Sequence, residues 1–336
     1  MRRNLRLLLT TPIHSPRHWG IILVAALAFI FLKPAEYSDW ELNTGPLRDG
    51  LAAYQHESAV YPPWDLILLW PYYFLTGPGS RVASVLVVGW LAARCRWSLL
   101  RFFAIVLAPP FIWTMRLYNL DVLALLLPIL LWEAAEGSRR QSLGRGLALL
   151  LLLVKPQGGY LLLAYLLWAH WRPWRAMMPL VALTLLVTVP ISLVGSPPLF
   201  LQWIDNLQHP SALNQIWWKD NNISLTADYG LGVAGLVIAG AFVAVYATKR
   251  QKARVWTLNH TYATLLMASM LLSPYTSNQS AIAALAFVPS GPAFILQYMV
   301  YFGGAITGAN LPYDATPMLF LMVSGLWFYE SRQDVR

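Results

Sequence analysis

Residues 146–170 read GLALLLLLVKPQGGYLLLAYLLWAH, an apolar run split in its middle by Lys155-Pro156-Gln157-Gly158-Gly159. The run has the length of a bilayer crossing, which takes about 20 apolar residues. Proline removes a backbone donor and crowds the preceding turn, and two glycines weaken the next turn of helix. The pattern therefore predicts two shorter helices meeting at a polar turn rather than one straight helix. A lysine at the centre of a membrane helix costs about 2.5–3.5 kcal/mol on insertion scales. Such a residue persists where it lines a polar cavity or binds something charged.

The same grammar runs along the chain. Further apolar runs cover 19–33, 61–77, 81–94, 100–115, 118–134, 176–195, 231–248, 256–272, 280–289, 292–307 and 315–330, with Asp65 and Asp121 as isolated acids inside two of them. Charged residues make up 12% of the 336-residue chain, against about 25% in ordinary soluble proteins. The hydrophobic fraction is 57% and the mean hydropathy +0.51, which excludes a soluble globular domain for most of the chain. Continuous rather than alternating apolar runs argue against a β-barrel. The expected class is an all-α polytopic membrane protein, one domain over residues 1–336, with about 10–12 transmembrane or partial helices.

Composition closes other routes. The lone Cys95 rules out an internal disulfide and a cysteine-rich metal site. His56, His209 and His260 have no metal-ligand spacing, so no metal is expected. The net charge of +9 comes from basic residues in short loops between apolar runs. That is the positive-inside signal and not a nucleic-acid surface.

The basic loops assign sides. Arg94/Arg96/Arg101, Arg139/Arg140/Arg145, Arg172/Arg175, Lys249/Arg250/Lys252/Arg254 and Arg332/Arg336 fall with the N-terminus on the cytoplasmic side of an inner or plasma membrane. The first run is read as an uncleaved helix, because no small-residue cleavage site comes after it. Loop 34–60, whose Leu47, Leu51 and Tyr54 predict a short surface helix, then shares the outer face with turns near 116–121, 155–159 and 273–280 and with a second loop at 196–229. Two full crossings between 61 and 94 would break this scheme. Either one of those runs is partial or the charge rule fails at Arg94.

The order of these polar islands carries a resemblance. Tyr37-Ser38-Asp39-Trp40, then Gly50 and Tyr54, then Tyr61-Pro62-Pro63-Trp64 resembles the opening of polyprenyl-phosphate-dependent glycosyltransferases with the C-type membrane fold, closest to glycosyltransferase family 87, the alpha-mannosyltransferase-like group. Arg116-Leu117-Tyr118-Asn119 resembles that family's Gly-Gln-x-Asn stretch, with Tyr118 where the family has Gln. Val154-Lys155-Pro156 resembles its Lys-Pro helix break, Asn221-Asn222-Ile223-Ser224 its Asn-x-Ser loop, and Leu272-Ser273-Pro274-Tyr275-Thr276 its late Ser-Pro motif. The resemblance covers about residues 20–290. It implies an inverting hexosyltransferase, mannosyltransferase-like, that takes sugar from a polyprenyl phosphate and passes it to a lipid or glycan acceptor. No cofactor is implied, and the acid of the family's Asp-aromatic pair falls at Asp39.

The chemistry asks for two groups. An acceptor hydroxyl must lose a proton as it attacks the anomeric carbon, which is work for a carboxylate base. The departing phosphate needs a cation or hydrogen-bond donor. Asp39 is the expected base, with Glu36 and Glu41 as neighbours able to serve. Lys155 is the expected phosphate contact, with Arg116 next and Asn119 beside it. Glu41, Tyr61, Asp121, Trp218, Asn222, Ser224 and Tyr275 are the remaining candidates for the substrate cavity. Each has a plainer reading: Asp39 as a solvated loop acid, Lys155 as a snorkelling interfacial residue, Asn119 and Asp121 as satisfying helix ends or one another, and Trp217-Trp218-Lys219 as an interfacial anchor. Asp65 reads as a structural polar contact. A transporter or flippase for a lipid-linked or anionic solute would also use intramembrane charges and broken helices. An inactive relative serving as a scaffold is the third possibility.

Overall fold

The computed structural model describes residues 7–35, 61–135, 141–169, 174–209, 224, 226, 230–236, 239, 258–273, 276 and 280–287. Among them the regular structure is helical, and the only extended pairing is an isolated bridge between Pro12 and Ser98. Also among the described residues, no helix is both long and apolar enough to cross a membrane. The chain divides into two compact units: residues 1–103, 113–156 and 163–216 form one, and residues 104–112, 157–162 and 217–336 the other.

In the first unit, α1 spans Pro16–Ala28 and begins at a capping box. The Ser15 hydroxyl accepts from the His18 amide, and the His18 ring accepts from the Ser15 amide, so two amides that a helix start leaves orphaned are met reciprocally. Pro16 sits at the first helical position, where its missing N–H costs nothing. A single 3-10 turn, Phe29–Phe31, ends the element.

Residues 61–94 do not form two spans. A short helix α2, Asp65–Leu68, leads into one continuous helix α3, Trp70–Arg94. The gap between the expected runs 61–77 and 81–94, with Pro78 in it, is absorbed inside α3, as happens when neighbouring packing outweighs local propensity. Gly89 lets α1 lie close to α3, because a Cβ there would stand 2.7 Å from Ile22 Cγ2. At its C-terminus α3 closes with a left-handed Arg96 (φ 54°), the Trp97 amide reaching back to the Ala92 carbonyl at 2.8 Å. This is a Schellman-type cap, which spends the helix's last free carbonyls.

Helices α4 (Leu99–Val106) and α5 (Pro109–Arg116) replace the single run expected over 100–115. After α5 comes one π-helical turn, Val122–Leu126, leading into α6, Leu127–Ala134. The central stretch behaves as its sequence predicts: α7 covers Gln141–Val154, α8 covers Pro156–Ala169, and the break falls on Lys155. Arg145, expected in a cytoplasmic loop, instead lies within α7, buried over the Trp132 ring at 5.0 Å. Its aliphatic stem and guanidinium plane suit an aromatic face better than its charge suggests. Arg94 pairs with Glu133 across α3 and α6.

Helix α9 spans Trp174–Leu193 and α10 spans Leu199–Gln208. The segment 196–229 is therefore not a loop throughout. Leu199 is buried, and Trp203 packs edge-on against Trp64 at 5.9 Å. These two positions stand at i and i+4, so they give α10 an inward face. In the second unit, α11 (Leu258–Leu272) packs against α12 (Ala281–Leu285), with Tyr262 edge-on to Phe287 at 5.6 Å.

Candidate functional site

Five polar residues of the first unit, Arg81, Tyr118, Asn119, Asp121 and Lys155, gather around the C-terminal end of α5. Tyr118 takes a left-handed backbone (φ 53°), and the Asn119 amide returns to the Thr114 carbonyl at 3.0 Å. This is again a Schellman-type closure, but with tyrosine where glycine is usual. A left-handed non-glycine residue costs about 1–2 kcal/mol. The turn persists because the Tyr118 ring is held between two neighbours: Gly77, where a Cβ would stand only 2.6 Å from the ring, and Arg81, whose guanidinium carbon lies 4.0 Å from the ring centroid.

From that turn Asn119 faces Lys155. The Asn119 Oδ1 accepts from the Asp121 amide at 2.9 Å and from Lys155 Nζ at 3.1 Å. Lys155 also forms an ion pair with Asp121. Lys155 is 7% exposed and Asp121 is fully buried. Buried opposite charges offset each other's desolvation only when geometry and extra hydrogen bonds are both good, and Asn119 supplies the extra bonds. The helix break has a physical function here: Pro156 and the turn free Lys155 from a regular helix so that its ammonium meets the start of the π-helical turn.

Two expected motifs, Arg116–Asn119 and Val154–Pro156, thus meet at atomic contact. Asn119 and Asp121 do satisfy one another, as the plainer reading has it, and Lys155 does not snorkel. In this arrangement the Lys155 charge is already met by a carboxylate. Tyr61 is buried in a cluster with Leu69, Leu120, Val154 and Leu199. The Trp64 indole N–H donates to the Leu153 carbonyl at 2.9 Å. The Tyr-Pro-Pro-Trp segment therefore packs onto the same helix end that carries Lys155.

Asp65 departs from expectation. It is fully buried, and among the described residues neither carboxylate oxygen has a hydrogen-bond partner. The structural polar contact expected of it is therefore not made by any of the described residues. Arg116 presents its guanidinium over the Trp113 ring at 5.0 Å while its backbone carbonyl accepts from the Ala35 amide at 3.0 Å. Sequence reasoning missed Arg81 altogether. The available signal is a lone arginine directly after Gly77-Pro78-Gly79-Ser80, which reads as no more than the edge of an apolar run.

In the second unit the Asn-x-Ser and Ser-Pro motifs also touch. The Ser224 hydroxyl donates to the Ser273 carbonyl and contacts the Leu271 carbonyl at 3.4 Å, and Thr226 Oγ1 donates to the Leu272 carbonyl at 2.8 Å. Ser224 is thus buried as a cap on the carbonyls that end α11. Asp39, Glu36, Glu41, Trp218, Asn222 and Tyr275 lie outside the described residues. Among the described residues no group of His, Cys, Asp and Glu could hold a metal ion.

Neither family models, nor curated proteins, nor solved structures match this chain.

Proposed function

We propose that this chain is an inverting membrane glycosyltransferase that moves a hexose, mannose-like, from a polyprenyl phosphate to a lipid or glycan acceptor on the non-cytoplasmic side. The observation that carries the reading is the contact between Asn119, Asp121 and Lys155, which joins two ordered motifs of the family 87 resemblance at a buried helix break. Its acid–base half rests on the resemblance: Asp39 removes the acceptor proton while a cation meets the phosphate.

Membrane placement is supported by the side chains that the helices leave outside. Phe31 is 88% exposed and Leu186 71%, and Leu183, Leu185, Val189 and Leu193 of α9 are exposed with them. A soluble monomer rarely shows so continuous an apolar face. The continuous α3 supports a consistent topology: its 25 residues rise about 37 Å, and one crossing by it would put Arg94, Arg96 and Arg101 on the side of the N-terminus. Its modest apolarity comes from the 76–81 stretch, and Arg81 there faces protein carbonyls rather than lipid.

A second reading, a transporter or flippase for a lipid-linked or anionic solute, is favoured by one observation: Asp65 is fully buried and, among the described residues, unpartnered. The test separates the two. Purified protein in nanodiscs is given mannosyl- and glucosyl-polyprenyl phosphates with an extract of envelope lipids and glycans, and hexose transfer is tracked by mass spectrometry. Transfer that is lost in Asp39→Asn and Asp39→Ala, with insertion intact, is the expected result. No donor consumption by the wild type above the Asp39→Asn background would overturn the enzyme reading.

A further inference from the structure

Asp65 opens α2 fully buried, with neither carboxyl oxygen hydrogen-bonded to any of the described residues. An acid in the first turn of a helix ordinarily turns its oxygens onto the free amides there. Here those amides are already used: the Asp65, Leu66 and Ile67 amides donate to the Pro62, Pro63 and Trp64 carbonyls at 2.9, 3.3 and 3.0 Å. The chain on both sides of Asp65 is apolar and packed, since Tyr61, Leu66, Leu68 and Leu69 share one cluster with Leu120 and Val154.

No cation of the surrounding elements compensates the acid. Helix α2 packs on α3 and α7. The ionisable residues of α3 are Tyr72, Tyr73, Arg81 and Arg94; Arg81 is bonded to the Met115 and Leu32 carbonyls, and Arg94 is paired with Glu133. Helix α7 carries Arg145, which lies over Trp132, and ends at Lys155, which is paired with Asp121. Helices α9 and α10 reach the same cluster through Ile191, Leu199 and Trp203. The one charged residue of α9 is Arg175, near its start, and at the end of α10 Asp205 pairs with His209. A carboxylate cut off from both water and a partner gives way to its neutral form. A metal ion does not fit the residues: among those described no group of acids and histidines could hold one, and a hard cation takes about six oxygens or more.

We infer that Asp65 is a proton-binding site: its carboxyl is the neutral acid while the Tyr61–Leu69 segment is docked, and it gives the proton to entering water when that segment opens. The bond broken is Oδ–H, and the carboxylate left behind is hydrated. Docking holds the Trp64 indole on the Leu153 carbonyl, and Leu120 and Val154 of the cluster are the chain neighbours of Asn119, Asp121 and Lys155. The proton therefore favours the state in which the Tyr-Pro-Pro-Trp segment is packed onto the helix end that bears Lys155. The docked state binds one proton more than the open one, so the opening constant rises with pH, by up to about tenfold per unit. The site needs neither sugar donor nor acceptor, so it stands or falls apart from the proposed function.

The test is hydrogen exchange of residues 61–69, followed by mass spectrometry on the full chain in nanodiscs, for the wild type and Asp65→Asn. Rates are compared at about pH 6 and about pH 8, where a hydrated aspartate is ionised throughout. Dividing the wild-type rate by that of the variant at each pH cancels the base catalysis of exchange itself. This ratio is expected to rise about tenfold or more between the two conditions; a constant ratio overturns the site. Asp205→Asn, which removes an exposed acid, should exchange as the wild type does, and loss of the pH dependence there would also overturn Asp65 as its source. The infrared difference between wild type and Asp65→Asn at about pH 7 should contain the C=O stretch of a protonated carboxyl, shifted in heavy water. A carboxylate band in its place overturns the neutral acid. So does failure of Asp65→Asn to fold, because an amide of the same shape replaces a neutral acid without loss of charge.

Discussion

Breaking the Lys155–Asp121 pair should show whether this contact organises the site or merely accompanies it. Lys155→Met keeps the length of the side chain but leaves a fully buried carboxylate without its cation, while Asp121→Asn keeps the shape and leaves the ammonium with neutral amide oxygens in place of its counter-charge. Removing one partner of a buried pair typically costs about 3–5 kcal/mol, most of it the desolvation of the charge left behind. Exposed pairs cost less than about 1 kcal/mol, because water takes over the lost contact. The burial of both side chains places this pair in the first class. Combining the two substitutions removes both charges, so the double variant should lose less than the sum of the singles, with a coupling of about 1–3 kcal/mol. The assay is unfolding in mixed micelles, titrated with dodecyl sulfate and read by tryptophan fluorescence for the wild type, both singles and the double. Strict additivity within about 0.5 kcal/mol would show that the two groups do not sense each other. A stability-neutral Lys155→Met would be equally damaging, since it would free Lys155 for an external anion and return it to the role of phosphate ligand.

Gly77→Ala should destabilise the protein by about 1–3 kcal/mol, because the new methyl would stand 2.6 Å from a Tyr118 ring that Arg81 stacks on. In a Tyr118→Gly background, where the left-handed turn suits glycine, the same substitution should cost under about 1 kcal/mol; equal penalties in both backgrounds by thermal melting would refute the contact. Asp65→Asn should leave stability unchanged or raise it, since a carboxylate with no partner among the described residues is expensive to bury, and a melting loss above about 2 kcal/mol would mean that the acid has a charge partner elsewhere in the chain.

Much of the helical framework can be read directly from local chemistry. Ser15-Pro16 announces a helix start, and Lys155-Pro156 announces a helix break, because capping and the missing proline donor act within a few residues. The apolar runs similarly set where α9 and α11 lie. Local chemistry misjudged continuity. The runs 61–77 and 81–94 read as separate, yet α3 passes through the gap between them, held by Arg81 and by packing against α1.

Reading along the chain is enough to pick out the residues that do not belong in apolar surroundings: Lys155, Asp121, Asp65 and the Arg116–Asn119 stretch. A charge in such surroundings is costly wherever the chain puts it, so its oddity shows without knowledge of its neighbours. Their partners are a matter of the three-dimensional packing. Lys155 is separated from Asn119 by 36 residues and Arg81 from Met115 by 34, and no periodicity links them. Whether a buried charge is neutralised by a carboxylate, satisfied by carbonyls or left for a ligand depends on which atoms packing brings within about 3 Å. That is how Lys155 comes to be paired and Arg81 to be held by carbonyls, while Asp65 is buried with no partner among the described residues.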